Sequence, residues 1–163
     1  MEENNIQPGE TGLADELNLF TQYQPATQGQ RFLNWLIDNL FMRFALGVLT
    51  GWLVGEILVR FFPEIAMRIA YEQNTLDTIL VNYLFGFFNY LIYYTICEKA
   101  FRGHTLGKLI TGTRAIREDG HELTFKDAFL RSLSRLVPFE VLSAFGDRPW
   151  HDSWTKTYVI KSR

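Results

Sequence analysis

Residues 32–58 read FLNWLIDNLFMRFALGVLTGWLVGEIL and residues 79–97 read ILVNYLFGFFNYLIYYTIC, and these two runs decide the fold class. A helix rises about 1.5 Å per residue, so each run is long enough to cross a hydrocarbon layer of about 30 Å. The second run has no charged residue and ends near Tyr93 and Tyr94, whose rings suit a membrane–water boundary. The first carries Asp38, Arg43 and Glu56, each of which demands compensation in hydrocarbon. The expectation is an all-α integral membrane protein with two transmembrane helices.

Outward from these runs, the N-terminal stretch 1–30 is polar and acidic, with Glu2, Glu3, Glu10, Asp15 and Glu16. It lacks the basic start and apolar run of a cleaved export signal, so none is expected. The chain divides into this tail and one domain over 31–163. After the second run, Lys99, Arg102, Lys108, Arg114 and Arg117 crowd together, whereas the connection around Pro63 mixes Arg60 and Arg68 with Glu64, Glu72 and Asp77. Basic residues favour the cytoplasmic side. The predicted topology has both termini in the cytoplasm and the protein in the cytoplasmic (inner) membrane.

The segment Leu109 to Ile116, the turn Glu118-Asp119-Gly120 and His121 to Phe125 predict a small cytoplasmic β-hairpin. Thr124, with Asp127 three residues on, predicts the start of a helix. On it Phe125, Ala128, Phe129, Leu133, Leu136 and Val137 form an apolar face opposite Lys126, Asp127, Arg131 and Arg135. Such a helix is expected to lie in the membrane interface, or to dip into the membrane as a re-entrant segment together with Phe139 to Phe145. Pro138 ends or kinks it.

Composition excludes several functions. The 163 residues are 47% hydrophobic and 15% aromatic, with a net charge of -2, so there is no basic excess for nucleic-acid binding. Cys97 has no second cysteine to pair with. The stretch GHTLGKL is one residue short of a phosphate-binding loop and has Leu109 where a magnesium-binding hydroxyl belongs. His104, His121 and His151 are too scattered for a metal site. No catalytic residue, cofactor or metal is expected, and the chain is read as a non-enzyme.

Polar groups inside the spans suggest helix contacts. Arg31, Asn34 and Asp38 fall on nearly one helical face, with the two charges roughly 10 Å apart along the axis. Asn82, Gly86, Asn89 and Tyr93 make a second stripe that can face the first. Gly47, Gly51 and Gly55 occupy a different face of the first helix, available to a helix of another chain. Membrane lipids and either a homo-oligomer or another membrane protein are the expected partners.

The stretch GQRFLNWLID (29–38), then EKAFRGHTLGKLITGTRAIREDGHELTFKDAFLRSLSRLVPF (98–139), and the closing HDSWTKTYVI (151–160) resemble the RDD family of membrane proteins. The resemblance maps the three family signature residues onto Arg31, Asp38 and Asp152. Thr105-Leu106-Gly107-Lys108 looks like the family's threonine-leucine-glycine-lysine motif, and His151-Asp152 with Thr157 like its closing motif; Ser153, Trp154 and Lys156 depart from the smaller apolar residues usual there. Supporting site candidates are Asn34, Asn82, Asn89, Tyr93, Thr105, Gly107, Lys108, Arg131 and His151. Membership itself assigns no molecular function. Transport of an ion or small solute is a role suspected for some members, and two expectations stand beside each other: transport by an oligomer with Asp38 as the titrating group, or a non-transporting accessory or scaffold subunit. Arg31 and Asp152 are expected to clamp the C-terminal segment to the start of the first span.

Overall fold

The computed structural model describes residues 22–71, 76–137, 140–143 and 148–162. Helix α1 (Gln28–Phe41), a π-helical turn (Met42–Leu46) and α2 (Gly47–Phe61) run on as one rod. Thr27 starts it with a reciprocal cap, its side chain accepting from the Gln30 backbone while the Gln30 side chain accepts from the Thr27 backbone. The π turn was not foreseen; it adds one residue to the helical circuit and so rotates α2 relative to α1. Helix α3 (Pro63–Tyr71) comes next, with proline at its first position, where no backbone N–H is needed. Helix α4 (Leu76–Ala100) returns. Two helical stretches, Gln28–Phe61 and Thr78–Ala100, are long and apolar enough to cross a membrane, each reaching beyond the span read from the sequence.

Below α4 the chain builds a compact polar module. It comprises α5 (Leu106–Thr111), β1 (Thr113–Arg117), α6 (Phe125–Ser134), α7 (Glu140–Ser143), α8 (Trp150–Trp154) and β2 (Thr157–Lys161). The expected hairpin does not form. Leu109 and Ile110 lie in α5, which Thr105 caps, and β1 pairs antiparallel with β2, Thr113 opposite Lys161 and Arg117 opposite Thr157. The turn at Gly120 is made, with its N–H donating to the Arg117 carbonyl at 2.9 Å. Beyond this turn lies the capping segment of α6, and of that stretch Leu123 alone among the hydrophobic residues enters the core. TYVIK at 157–161 wins the ladder because its β-branched and aromatic residues bury both sheet faces. Ile116, Tyr158 and Ile160 pack on one side, and Ala115, Leu123 and Val159 with Ala26 on the other.

Residues 22–30, read from the sequence as the end of a polar tail, belong to the fold. The Ala26 N–H donates to the Val159 carbonyl at 2.9 Å, and the Lys161 N–H to the Gln24 carbonyl at 2.8 Å. Both described ends of the chain therefore meet in one sheet, on the same side of the two long helices. Residues 1–21 lie outside the described residues.

Helix α6 corrects a second expectation. Its reciprocal Thr124–Asp127 cap is present, and Phe125, Leu130 and Leu133 are exposed, as an interfacial helix requires, while Ala128, Arg131 and Ser132 are buried. The supposed solvent face of Arg131 and Arg135 packs inward, because α4 offers it the buried carboxylate of Glu98. Of the expected re-entrant segment Phe139 to Phe145, residues 140–143 form α7, and 139, 144 and 145 lie outside the described residues.

Candidate functional site: a buried ionic core

Three carboxylates organise the junction of the long helices with the polar module. Asp38, near the end of α1, is 1% exposed. Its Oδ1 accepts from the Tyr93 hydroxyl on α4 and from the Gly107 N–H, both at 2.8 Å, and its Oδ2 from the Thr105 hydroxyl at 2.7 Å. Three donors offset the water that a carboxylate loses on burial. The threonine-leucine-glycine-lysine stretch supplies most of this geometry. Thr105 caps α5 while donating to Asp38. Gly107 sits so close to α1 that a Cβ there would overlap the Asn34 backbone, and this approach brings its N–H to Asp38.

Glu98, fully buried at the end of α4, holds three cations. Its Oε1 accepts from Lys108 Nζ at 2.6 Å and from Arg135 Nη2 at 2.8 Å, and its Oε2 from Arg131 Nε at 2.9 Å. Arg131 continues to Asp152 Oδ1 at 2.6 Å and also donates to Thr157. Asp152 Oδ2 receives Arg31 Nη1 at 2.8 Å, which is the clamp expected between the C-terminal segment and the start of the first span. An unbroken ionic chain thus runs Arg31, Asp152, Arg131, Glu98 and then Lys108 and Arg135, tying α1, α8, α6, α4 and α5 together.

Burial and charge shift the groups of the polar module in definite directions. Lys108 is pushed down to about 8 by burial, against the pull of Glu98. Burial opposes the charge on Arg135 as well, but Glu98 together with Tyr90 and Tyr94 more than offsets it and holds Arg135 above its ordinary value. Burial alone would raise the Asp152 carboxyl; the neighbouring His151, Arg131 and Arg31 reverse this and hold it well below the usual carboxylate range. His151 is itself lowered by burial and so is mostly neutral at pH 7. The two permanently charged arginines are therefore the partners that keep Asp152 ionised.

The site candidates divide into groups. Arg31, Lys108, Arg131 and Asp152 share the ionic chain, and His151 adjoins it, bonded to Glu140. Asp38, Tyr93, Thr105 and Gly107 form the second cluster. Asn34 turns to the module, donating to the Thr113 hydroxyl at 2.9 Å and accepting from Thr111. Asn89 stands apart, bonded to Thr50 at 2.9 Å, and Asn82 is exposed, so the predicted stripe on α4 meets α1 through Tyr93 only. Sequence reasoning missed Glu98 and the inward role of Arg135. The signal present was one acidic residue closing an otherwise apolar run, with Arg131 and Arg135 one helical turn apart downstream.

The described residues contain no cluster of histidine, cysteine or carboxylate side chains suited to a metal ion. No curated protein and no solved structure matches the chain. The RDD family model matches residues 25–157, from Pro25, which bridges to Ile160, through Thr157 beside Asp152. That match takes in both long helices and every member of the ionic core, and the chain belongs to the RDD family of membrane proteins.

Proposed function

We propose that the protein is a two-span subunit of the cytoplasmic membrane, with both termini in the cytoplasm, acting as a non-enzymatic scaffold that mounts a rigid polar module on the inner surface. The observation that carries this reading is the saturation of the core carboxylates. Asp38, Glu98 and Asp152 each accept two or more hydrogen bonds from side chains or backbone of the same chain. A group that picks up and releases a cation or proton needs an open coordination position, and these have theirs filled. Lys99, Arg102, Arg114 and Arg117 on the module favour the cytoplasmic face.

Transport by an oligomer is the second reading, favoured by charges on the first span. Arg43 and Glu56 are both exposed on the first long helix, and a Cβ added at Gly51 or Gly55 meets nothing within 4 Å. Those groups suit a neighbouring helix or a wet path between copies.

Two measurements test the proposal. In a variant lacking Cys97, membrane-impermeant thiol labelling from outside is expected to modify a cysteine placed beside Pro63 and to spare one beside Gly120; labelling of both overturns the topology. Purified protein in liposomes is expected to give ion and proton flux indistinguishable from empty vesicles. Flux that depends on pH and disappears with Asp38→Asn in a folded protein overturns the scaffold reading in favour of transport.

A further inference from the structure

We propose that the cavity between α1, α4 and the C-terminal segment binds an amphiphile with an oxyanion head, which enters head first from the lipid side. The cavity measures about 540 Å³. Small-molecule sites of roughly 300–1,000 Å³ are lined mostly by apolar groups with a few convergent polar ones. Here Phe32, Trp35, Tyr90, Tyr94 and Pro149 supply the apolar wall. Phe32 and Trp35 are 58% and 39% exposed on the outer face of α1, so the apolar wall continues to the surface that would meet lipid tails.

The charged lining selects the head. Arg31, Lys108 and Arg135 line the cavity against two carboxylates, Asp38 and Glu140. Neither carboxylate is idle: Asp38 has its three donors, and Glu140 accepts from His151. Arg135 has donor capacity left. Its Nη2 is on Glu98, its guanidinium lies 4.5 Å from the centre of the Tyr94 ring, and its Nη1 is buried with no acceptor among the described residues. A buried N–H without a partner is costly, and a ligand oxygen that displaces the side chains covering Nη1 would satisfy it. An arginine held between a carboxylate and an aromatic ring has a restricted orientation, as a fork that binds a carboxylate or phosphate oxygen requires. The alkyl tail then lies along Phe32 and Trp35. The direction of entry rests on the two-span reading; the binding site does not.

Trp35 provides the probe. In non-ionic detergent, a chain with Trp52, Trp150 and Trp154 changed to phenylalanine is titrated with a brominated fatty acid, its methyl ester and a brominated phosphatidic acid, reading bromine quenching of Trp35. Both acids are expected to quench saturably, the ester at least about tenfold more weakly, reflecting one lost charge-assisted hydrogen bond. Inorganic phosphate is expected not to compete at matched concentration. Gly29→Phe fills the cavity without touching its charges, since a Cβ at Gly29 meets only Thr27 Oγ1 at 4.0 Å. It is expected to abolish saturable quenching, and native mass spectrometry of the otherwise unaltered chain is expected to show one retained acidic lipid lost with this substitution. Equal affinity for acid and ester overturns the oxyanion head, competition by inorganic phosphate overturns the amphiphile, and unchanged binding in Gly29→Phe overturns the site. None of these readouts depends on membrane topology, so their failure is distinct from failure of the two-span assignment.

Discussion

The two halves of the long helices are built on opposite terms. At the module end, Asp38, Glu98, Lys108, Arg131 and Asp152 are almost completely buried, while Phe32, Leu33, Phe125 and Leu133 stand exposed. At the far end no residue of α2 is buried, Trp52 is 65% exposed, and a polar bond from Asn89 to Thr50 joins the two long helices. This contrast identifies what holds such a chain together. Where apolar side chains meet lipid they gain little by meeting each other, so helix contacts depend on polar bonds and close packing. The module end has both, and the far end has open surface for lipid or another helix.

The largest effect is expected from the centre of the ionic core. Glu98→Ala strands Lys108 and Arg135 and takes from Arg131 one of its two carboxylates, and should lower stability by ~3–5 kcal/mol or prevent folding, read as the unfolding midpoint in detergent. Glu56→Ala, on the exposed half, should change the same midpoint by less than about 0.5 kcal/mol. Equal effects would erase the contrast between the halves.

Lys108 makes the stability of the module end depend on pH. Its pKa falls on folding from 10.5 to about 8, so between these values the unfolded chain holds the extra proton and stability rises with pH. Below about pH 8 the full penalty of burying the charge applies; above about pH 10.5 it is gone. The group should contribute a rise of about 3 kcal/mol across that window, visible as the difference between the native chain and Lys108→Met in denaturant unfolding at each pH. Parallel curves for the two proteins would refute the assignment.

Asp38→Asn should be next. It keeps the shape but puts a donor where Tyr93, Thr105 and Gly107 all donate, which should destabilise by about 1–3 kcal/mol in the same measurement. The smallest effects belong to the far half. Thr50→Val removes the bond to Asn89 and should cost about 0.5–1.5 kcal/mol. Gly51→Ala meets open space and should leave the midpoint of the single chain unchanged; a shift in its oligomeric state by light scattering would identify that face as a helix contact.

Much of this architecture was legible in the chain itself. Two long apolar runs foretold the two helices that are long and apolar enough to cross a membrane, since backbone groups in hydrocarbon must be satisfied within a helix. The Thr124–Asp127 cap, the family resemblance and the Arg31 to Asp152 pair expected from it were all read from residue identity and position. Tertiary structure decided the rest. The periodicity of α6 showed two faces but not which one faces inward, because the answer depends on Glu98, a residue 33 positions from Arg131. The partner of β1 likewise lay beyond local reach: the turn at Gly120 predicts its nearest neighbour, while burial of both faces by residues 157–161 selects a distant strand. Local sequence fixes helical period and caps through short-range sterics and hydrogen bonds, whereas the choice of partner is a competition among distant segments for burial and for charge.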